Sequence, residues 1–166
     1  MAQIGDPKML FAHKLGAALT MEETVLTLLG ELEGKANGDE LRQQLSHHAK
    51  ETQGQIRNLQ QAFSALGHEA KMQPCPAIEG LQFEGQQMLA QTSSELRDAV
   101  ILSGCAEVEH HEIAVYDGLI TMAEEMDAGD VVALLEENLE QEEHTLKEVE
   151  QAFEQQAKQL AKATAA

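Results

Sequence analysis

The stretch Leu102-Ser-Gly-Cys105-Ala-Glu-Val-Glu109-His-His-Glu112-Ile113-Ala-Val-Tyr116-Asp-Gly-Leu119-Ile120 carries the pattern from which the architecture is read. Steps of three and four, the period of a helix, collect Leu102, Cys105, Glu109, Glu112, Ile113, Tyr116, Leu119 and Ile120 on one face. That face is apolar except for the two glutamates in its middle. Water solvates a carboxylate far better than a protein core does, so a charge on an otherwise apolar stripe is the informative feature. Glu107 and His110 project elsewhere, and the Glu107-x-x-His110 pairing reads as a decoy.

The same pattern recurs on either side. The helix holding this stretch is predicted to begin at Ser93 or Ser94 and to run to about Met126. Asp127-Ala-Gly-Asp130 is a short turn, and the next helix runs from Asp130 to about Ala157. Its stripe is Val131, Leu135, Leu139, Glu142, Leu146, Val149 and Phe153, with Glu142 central and Glu140, Glu143 and His144 turned outward. Residues 158–166, rich in Ala and Lys, either fray or extend that helix.

Toward the N-terminus, Asp6 caps and Pro7 opens a helix running to Gly34. Its stripe is Phe11, Leu15, Ala18, Glu22, Val25, Leu29 and Leu32. A two-glycine break follows, then a helix from Asp39 to Leu66, closed by Gly67. There the stripe is Leu41, Leu45, His48, Thr52, Ile56, Leu59 and Phe63, with Gln55 near it and Glu51 toward its edge. Between the two helix pairs lies His68 to Ser94, extended at Pro74-Cys75-Pro76, with a modest helix from Ala77 to Ala90. Short loop, long connection, short loop is the layout of an all-α, antiparallel four-helix bundle with one long crossover carrying an extra short helix. We read the whole chain, 1–166, as one domain with its core at about 7–157.

The bulk properties narrow the function classes. The chain has 166 residues, 3% aromatics and a formal net charge of −18. Such a surface repels phosphate backbones and anionic membranes, so neither a nucleic-acid nor a membrane partner is expected. No signal peptide or membrane-length apolar run is apparent, and a cytoplasmic location is expected. Cys75 and Cys105 form no zinc or C-x-x-C pattern. Cys105 falls on a core face; Cys75, between two prolines, could be exposed.

Each long helix thus places an acid or imidazole on its core face at mid-length, with no Lys or Arg near it. Buried carboxylates without basic partners bind cations or shift their pKa. Several converging carboxylates with one imidazole suit a pair of divalent ions, iron or manganese.

The stretches His48-Ala-Lys-Glu51-Thr-Gln-Gly-Gln-Ile56, Cys75-Pro-Ala-Ile-Glu-Gly80, Val108-Glu-His-His-Glu-Ile-Ala-Val-Tyr116 and Leu134-Leu-Glu-Glu-Asn-Leu-Glu-Gln-Glu142 also resemble the YciE/YciF family, a stress-associated bacterial branch of the ferritin-like superfamily. The resemblance spans about Met9 to Phe153. It implies a ferritin-like bundle, often a homodimer, around a dinuclear metal centre of the kind called ferroxidase-like or rubrerythrin-like. Carried over by position, it implies Glu22, His48, Glu51, Glu109, Glu112 and Glu142 as metal ligands. The chain departs from the superfamily's Glu-x-x-His pattern, since Gly54 follows Glu51 and Thr145 follows Glu142 at the third place. A site richer in carboxylate leans toward manganese or weaker iron binding.

Three functions are weighed. The first is a di-iron or di-manganese oxidoreductase acting on Fe(II), peroxide or oxygen in stress defence. Here Tyr116, one turn from Glu112, hydrogen-bonds a ligand or relays an electron, or is simply core. The second is metal binding without turnover. The third is a helical interaction protein using a second apolar flank, Met9, Leu10, Met21 and Leu28, which otherwise packs under the crossover.

Overall fold

The structure, a computed structural model, describes residues 3–164. Its helices are α1 (Pro7–Glu33), α2 (Asp39–Ala65), α3 (Pro76–Gln91), α4 (Arg97–Glu124) and α5 (Gly129–Thr164), with a single 3-10 turn, Ser94–Leu96, leading into α4. Residues 1, 2, 165 and 166, the ends of the expected domain, lie outside the described residues. The tail predicted to fray or extend is helical as far as it is described, so α5 is the longest element. Among the described residues, no helix is long and apolar enough to cross a membrane.

Local chemistry sets the helix ends. Asp6 accepts the Lys8 N–H at 2.9 Å with Pro7 in the first turn, satisfying a donor that a helix start otherwise leaves open. At the end of α2, Gly67 takes a φ of +74 and His68 N–H donates to the Phe63 carbonyl at 2.9 Å, the left-handed closure that favours glycine. Asp127 holds φ +54 after α4, which short polar side chains tolerate.

Contacts at the bundle ends define the topology. The Asp98 carboxylate of α4 accepts the N–H groups of Asn37 and Gly38 at 2.7 and 2.9 Å, so α4 starts where α1 ends and runs antiparallel to it. Asn58 of α2 donates to Asn138 of α5 at 2.8 Å, and His48 faces Glu142, so α2 and α5 are antiparallel too. The crossover therefore carries the chain back along the bundle's full length, as the loop pattern predicts.

The first part of the crossover is pinned to α1. Gln73 N–H donates to the Gly16 carbonyl at 3.0 Å, and the Thr20 hydroxyl donates to the Gln73 carbonyl at 2.6 Å. A Cβ at Gly16 would clash with the Lys71 carbonyl oxygen. Gly16→Ala should therefore destabilise the protein by about 1–3 kcal/mol, the usual range for overpacking, measurable as a lower urea midpoint. An unchanged midpoint would mean that the crossover does not dock on α1.

α3 then lies over α1 and α4, with Ile78 fully buried. This divides the second apolar flank of α1. Met21 is buried and Leu28 packs against the core, while Met9 and Leu10 stay exposed. Cys75 is buried rather than exposed, because the prolines beside it deliver the chain straight into the α3 contact.

Candidate metal centre

The site lies at mid-height between the four long helices. Glu22 (α1), His48 (α2), Glu109 and Glu112 (α4) and Glu142 (α5) are each at most 5% exposed. One ligand atom from each of His48, Glu109, Glu112 and Glu142 falls within 4.8 Å of the others. His48 sits between two acids, with Nδ1 3.4 Å from Glu109 and Nε2 3.6 Å from Glu142. Glu22 stands beside this group, near enough to Glu142 and Glu112 to raise their mutual charge repulsion.

The electrostatics are those of a site lacking positive charge. Burial first, and then the neighbouring Glu142, hold the Glu22, Glu109 and Glu112 carboxyls well above the usual carboxylate range. Both oxygens of Glu112 and of Glu142, and Oε2 of Glu22 and of Glu109, have no hydrogen-bond partner among the described residues. No Lys or Arg is ion-paired to any of them among the described residues. Buried polar atoms are ordinarily satisfied, so this many orphaned acceptors facing one space fit a bound cation, which oxygen ligands would neutralise.

Tyr116 anchors the Glu22 side. Its hydroxyl donates to Glu22 Oε1 and accepts from Asn138 Nδ2 at 3.0 Å. The same amide group also donates to the Gln55 carbonyl at 3.3 Å. Asn138 thus commits the tyrosine proton to Glu22 Oε1 and leaves Oε2 free for the centre. Burial, then Glu22, pushes the Tyr116 phenol well above its ordinary value, so it serves as a neutral donor.

Glu51 stands apart. It is half-buried, 3.5 Å from the exposed His47, at a shallow opening also lined by Gln44, Thr145 and Glu148 that leads down to His48. Glu107 and His110 are exposed, as expected of a decoy, and so are Glu140, Glu143 and His144. Cys105 is buried, and desolvation pushes its thiol up to about 12, which makes it an inert small hydrophobe.

Two polar residues of α5, Asn138 and Thr145, lie on the core face in place of the predicted Leu139 and Leu146, which are only half-buried; Phe153 is exposed. The observed buried set, 131, 135, 138, 142 and 145, alternates steps of four and three. That is the seam of a supercoiled bundle rather than a straight helix. Its spacing was the signal that could have found Asn138.

Residues 6–162 match the family described as a domain of unknown function, DUF892. YciF of Escherichia coli strain K12 is 33% identical over 137 residues, 81% of this chain and 82% of that protein. The chain belongs to the YciF family. Solved structures agree with this family fold. The crystal structure of the E. coli stress protein YciF superposes with a TM-score of 0.88 at 29% identity, covering 93% of this chain and 99% of that one. YcfI of Rhodopseudomonas palustris, for which a structural role has been suggested, gives 0.87 at 33% identity over 89% and 95%. A Xanthomonas campestris protein shares the fold, at 0.75 and 18% identity over 97% of this chain and 100% of that one. For this YciF-family chain, the all-helical, ferritin-like bundle expected from the loop pattern and the resemblance is the observed fold.

Proposed function

We propose that this protein is a ferritin-like dinuclear-metal protein that oxidises Fe(II) or reduces peroxide or oxygen in stress defence. The carrying observation is the set of buried, orphaned carboxylate oxygens around His48. The stress description of the related YciF supports the setting. Glu22, His48, Glu109, Glu112 and Glu142 would hold two ions, iron or manganese, with Glu51 at the rim joining them once released from His47. Such a pair supplies two electrons, which with two protons reduce peroxide to water or dioxygen to peroxide.

The chain's own residues orient and insulate. Tyr116 and Asn138 fix the rotamer of Glu22, and the aliphatic layers above and below keep water from the carboxylates. A homodimer, using the exposed Met9 and Leu10, belongs to the same reading; a single-chain mass in solution would remove it.

The test is elemental analysis after anaerobic incubation with Fe(II) or Mn(II) and desalting, followed by peroxide and oxygen turnover with each metal. About two ions per chain is the expected content for a carboxylate bundle of this kind. Retained metal without turnover would leave a binding protein. A folded protein retaining none would end the metal reading.

A further inference from the structure

A second feature of the core leads to the same residues from a different side. Beneath α3 lies a narrow space walled by Val25 and Leu29 of α1, Leu81 and Leu89 of α3, and Ile101 and Val108 of α4. Its inner end is formed by His48, Cys105 and Glu109. Gly85 of α3 and Gly104 of α4 also line it, and a Cβ at either would meet nothing within 4 Å. The glycines therefore leave room rather than permit a tight backbone approach. The space is about 30 Å³, roughly two water-sized spheres and so on the order of one diatomic molecule.

We propose that this space is a binding pocket for dioxygen, and that it delivers the gas to the His48–Glu109 side of the centre. The inference rests on the metal-centre reading and adds how one substrate reaches it. Size excludes an acyl chain or any larger organic ligand. The Val, Leu and Ile walls disfavour an ion, which loses its hydration there without compensation. Lys35, Gln82, Gln86 and the His48–Glu109 end offer water polar partners, but along the Val, Leu and Ile walls it finds none, and predominantly apolar space of this kind favours apolar guests. Peroxide, a hydrogen-bonding solute, is matched instead by the opening beside Glu51 and His47, where Gln44, Thr145 and Glu148 also offer hydrogen-bonding groups among the Leu and Val side chains. Dioxygen, small, uncharged and apolar, is the oxidant that fits beneath α3.

The test has two arms. Crystals of the metal-free protein pressurised with xenon should show one atom between α1, α3 and α4. Gly104→Leu, which fills the space from α4, should exclude it, whereas Gly104→Ala should retain it. The Leu variant, loaded anaerobically, should hold as much Fe(II) as wild type. Its oxidation by dissolved dioxygen should slow roughly tenfold, with oxidation by peroxide held within about twofold. Leu89→Phe fills the space from α3 and serves if the α4 variant does not fold.

An empty pocket in the xenon crystals overturns the proposal. So does an unchanged dioxygen rate in a variant that excludes xenon, or an equal slowing with both oxidants. If the wild type retains no iron, the metal centre fails, and the pocket then stands or falls on the xenon result alone.

Discussion

Glu112→Gln is expected to make the metal-free protein more stable at neutral pH, not less. Glu112 is fully buried, and neither of its oxygens has a partner among the described residues. Desolvation, then Glu142, Glu22, Glu109 and Cys105, raises its pKa well above the ordinary 4.5. A raised carboxyl pKa means that the folded state binds a proton more tightly than the unfolded chain. Its contribution is therefore fully present below pH 4.5 and is lost as pH rises through the folded-state value. The metal-free wild type should accordingly lose stability from mildly acidic to alkaline pH.

Glutamine keeps the shape, carries no charge and offers an amide to the neighbouring acids. The gain at pH 8 should be about 1–3 kcal/mol, the scale of relieving an unsatisfied buried polar group, and it should vanish below pH 4.5. Urea denaturation across pH measures it. A destabilised Glu112→Gln at pH 8 would mean that the carboxylate serves the fold, and the site would then be a structural polar network. Functional sites commonly sacrifice stability in the direction expected here.

Divalent metal should reverse the pH dependence. Carboxylates must be deprotonated to bind, so metal stabilisation grows as pH rises. At a free Fe(II) or Mn(II) concentration one hundredfold above its dissociation constant, the folded state gains about 2.7 kcal/mol. In a domain of this size that is a rise of roughly 5–10 °C in Tm. Glu142→Ala should abolish the rise. Glu142 is the first charged neighbour to act on Glu22, Glu109 and Glu112 alike, so it is central to all of them, and its loss removes the acid shared by both halves of the centre. A surface control, Glu143→Ala, should keep the full metal-induced shift. Equal shifts in wild type and Glu142→Ala would place any bound metal elsewhere.

Tyr116 and Asn138 bear on how the centre is held. Glu22 is the only ligand candidate on α1, the helix also clamped by the crossover at Gly16. The Tyr116 hydroxyl is what joins α4 to that acid, and Asn138 brings in α5. The position of Glu22 is thus tied to two further helices through one buried hydroxyl. Side chains locked by such supporting hydrogen bonds keep metal ligands in place.

The stripes of α1 and α2 were legible in the chain residue by residue. Phe11 to Leu32 with Glu22 inside, and Leu41 to Phe63 with His48 inside, are buried as read. Helical period and the solvation of charge are local physics, and they need no partner to be computed. The same physics separated Glu109 and Glu112 from the exposed Glu107 and His110. Loop lengths, together with proline and glycine placement, were enough for the helix order and the crossover.

What depended on packing was lost or blurred. Asn138 displaced Leu139 on α5 because supercoiling shifts the period of the seam. Met21 went inside because α3 covers that side of α1, and Cys75 because the crossover docks where its prolines aim it. Glu51 and His48 are one turn apart on one helix, yet the first is held at the rim by His47 and the second is enclosed by Glu109 and Glu142. Helical period and the solvation of charge were enough to mark the buried faces of α1 and α2 and the acids and imidazole trapped at mid-height. Which trapped groups meet was settled by the packing of the bundle, because distances between helices depend on how all of them pack together, and no single helix carries that information.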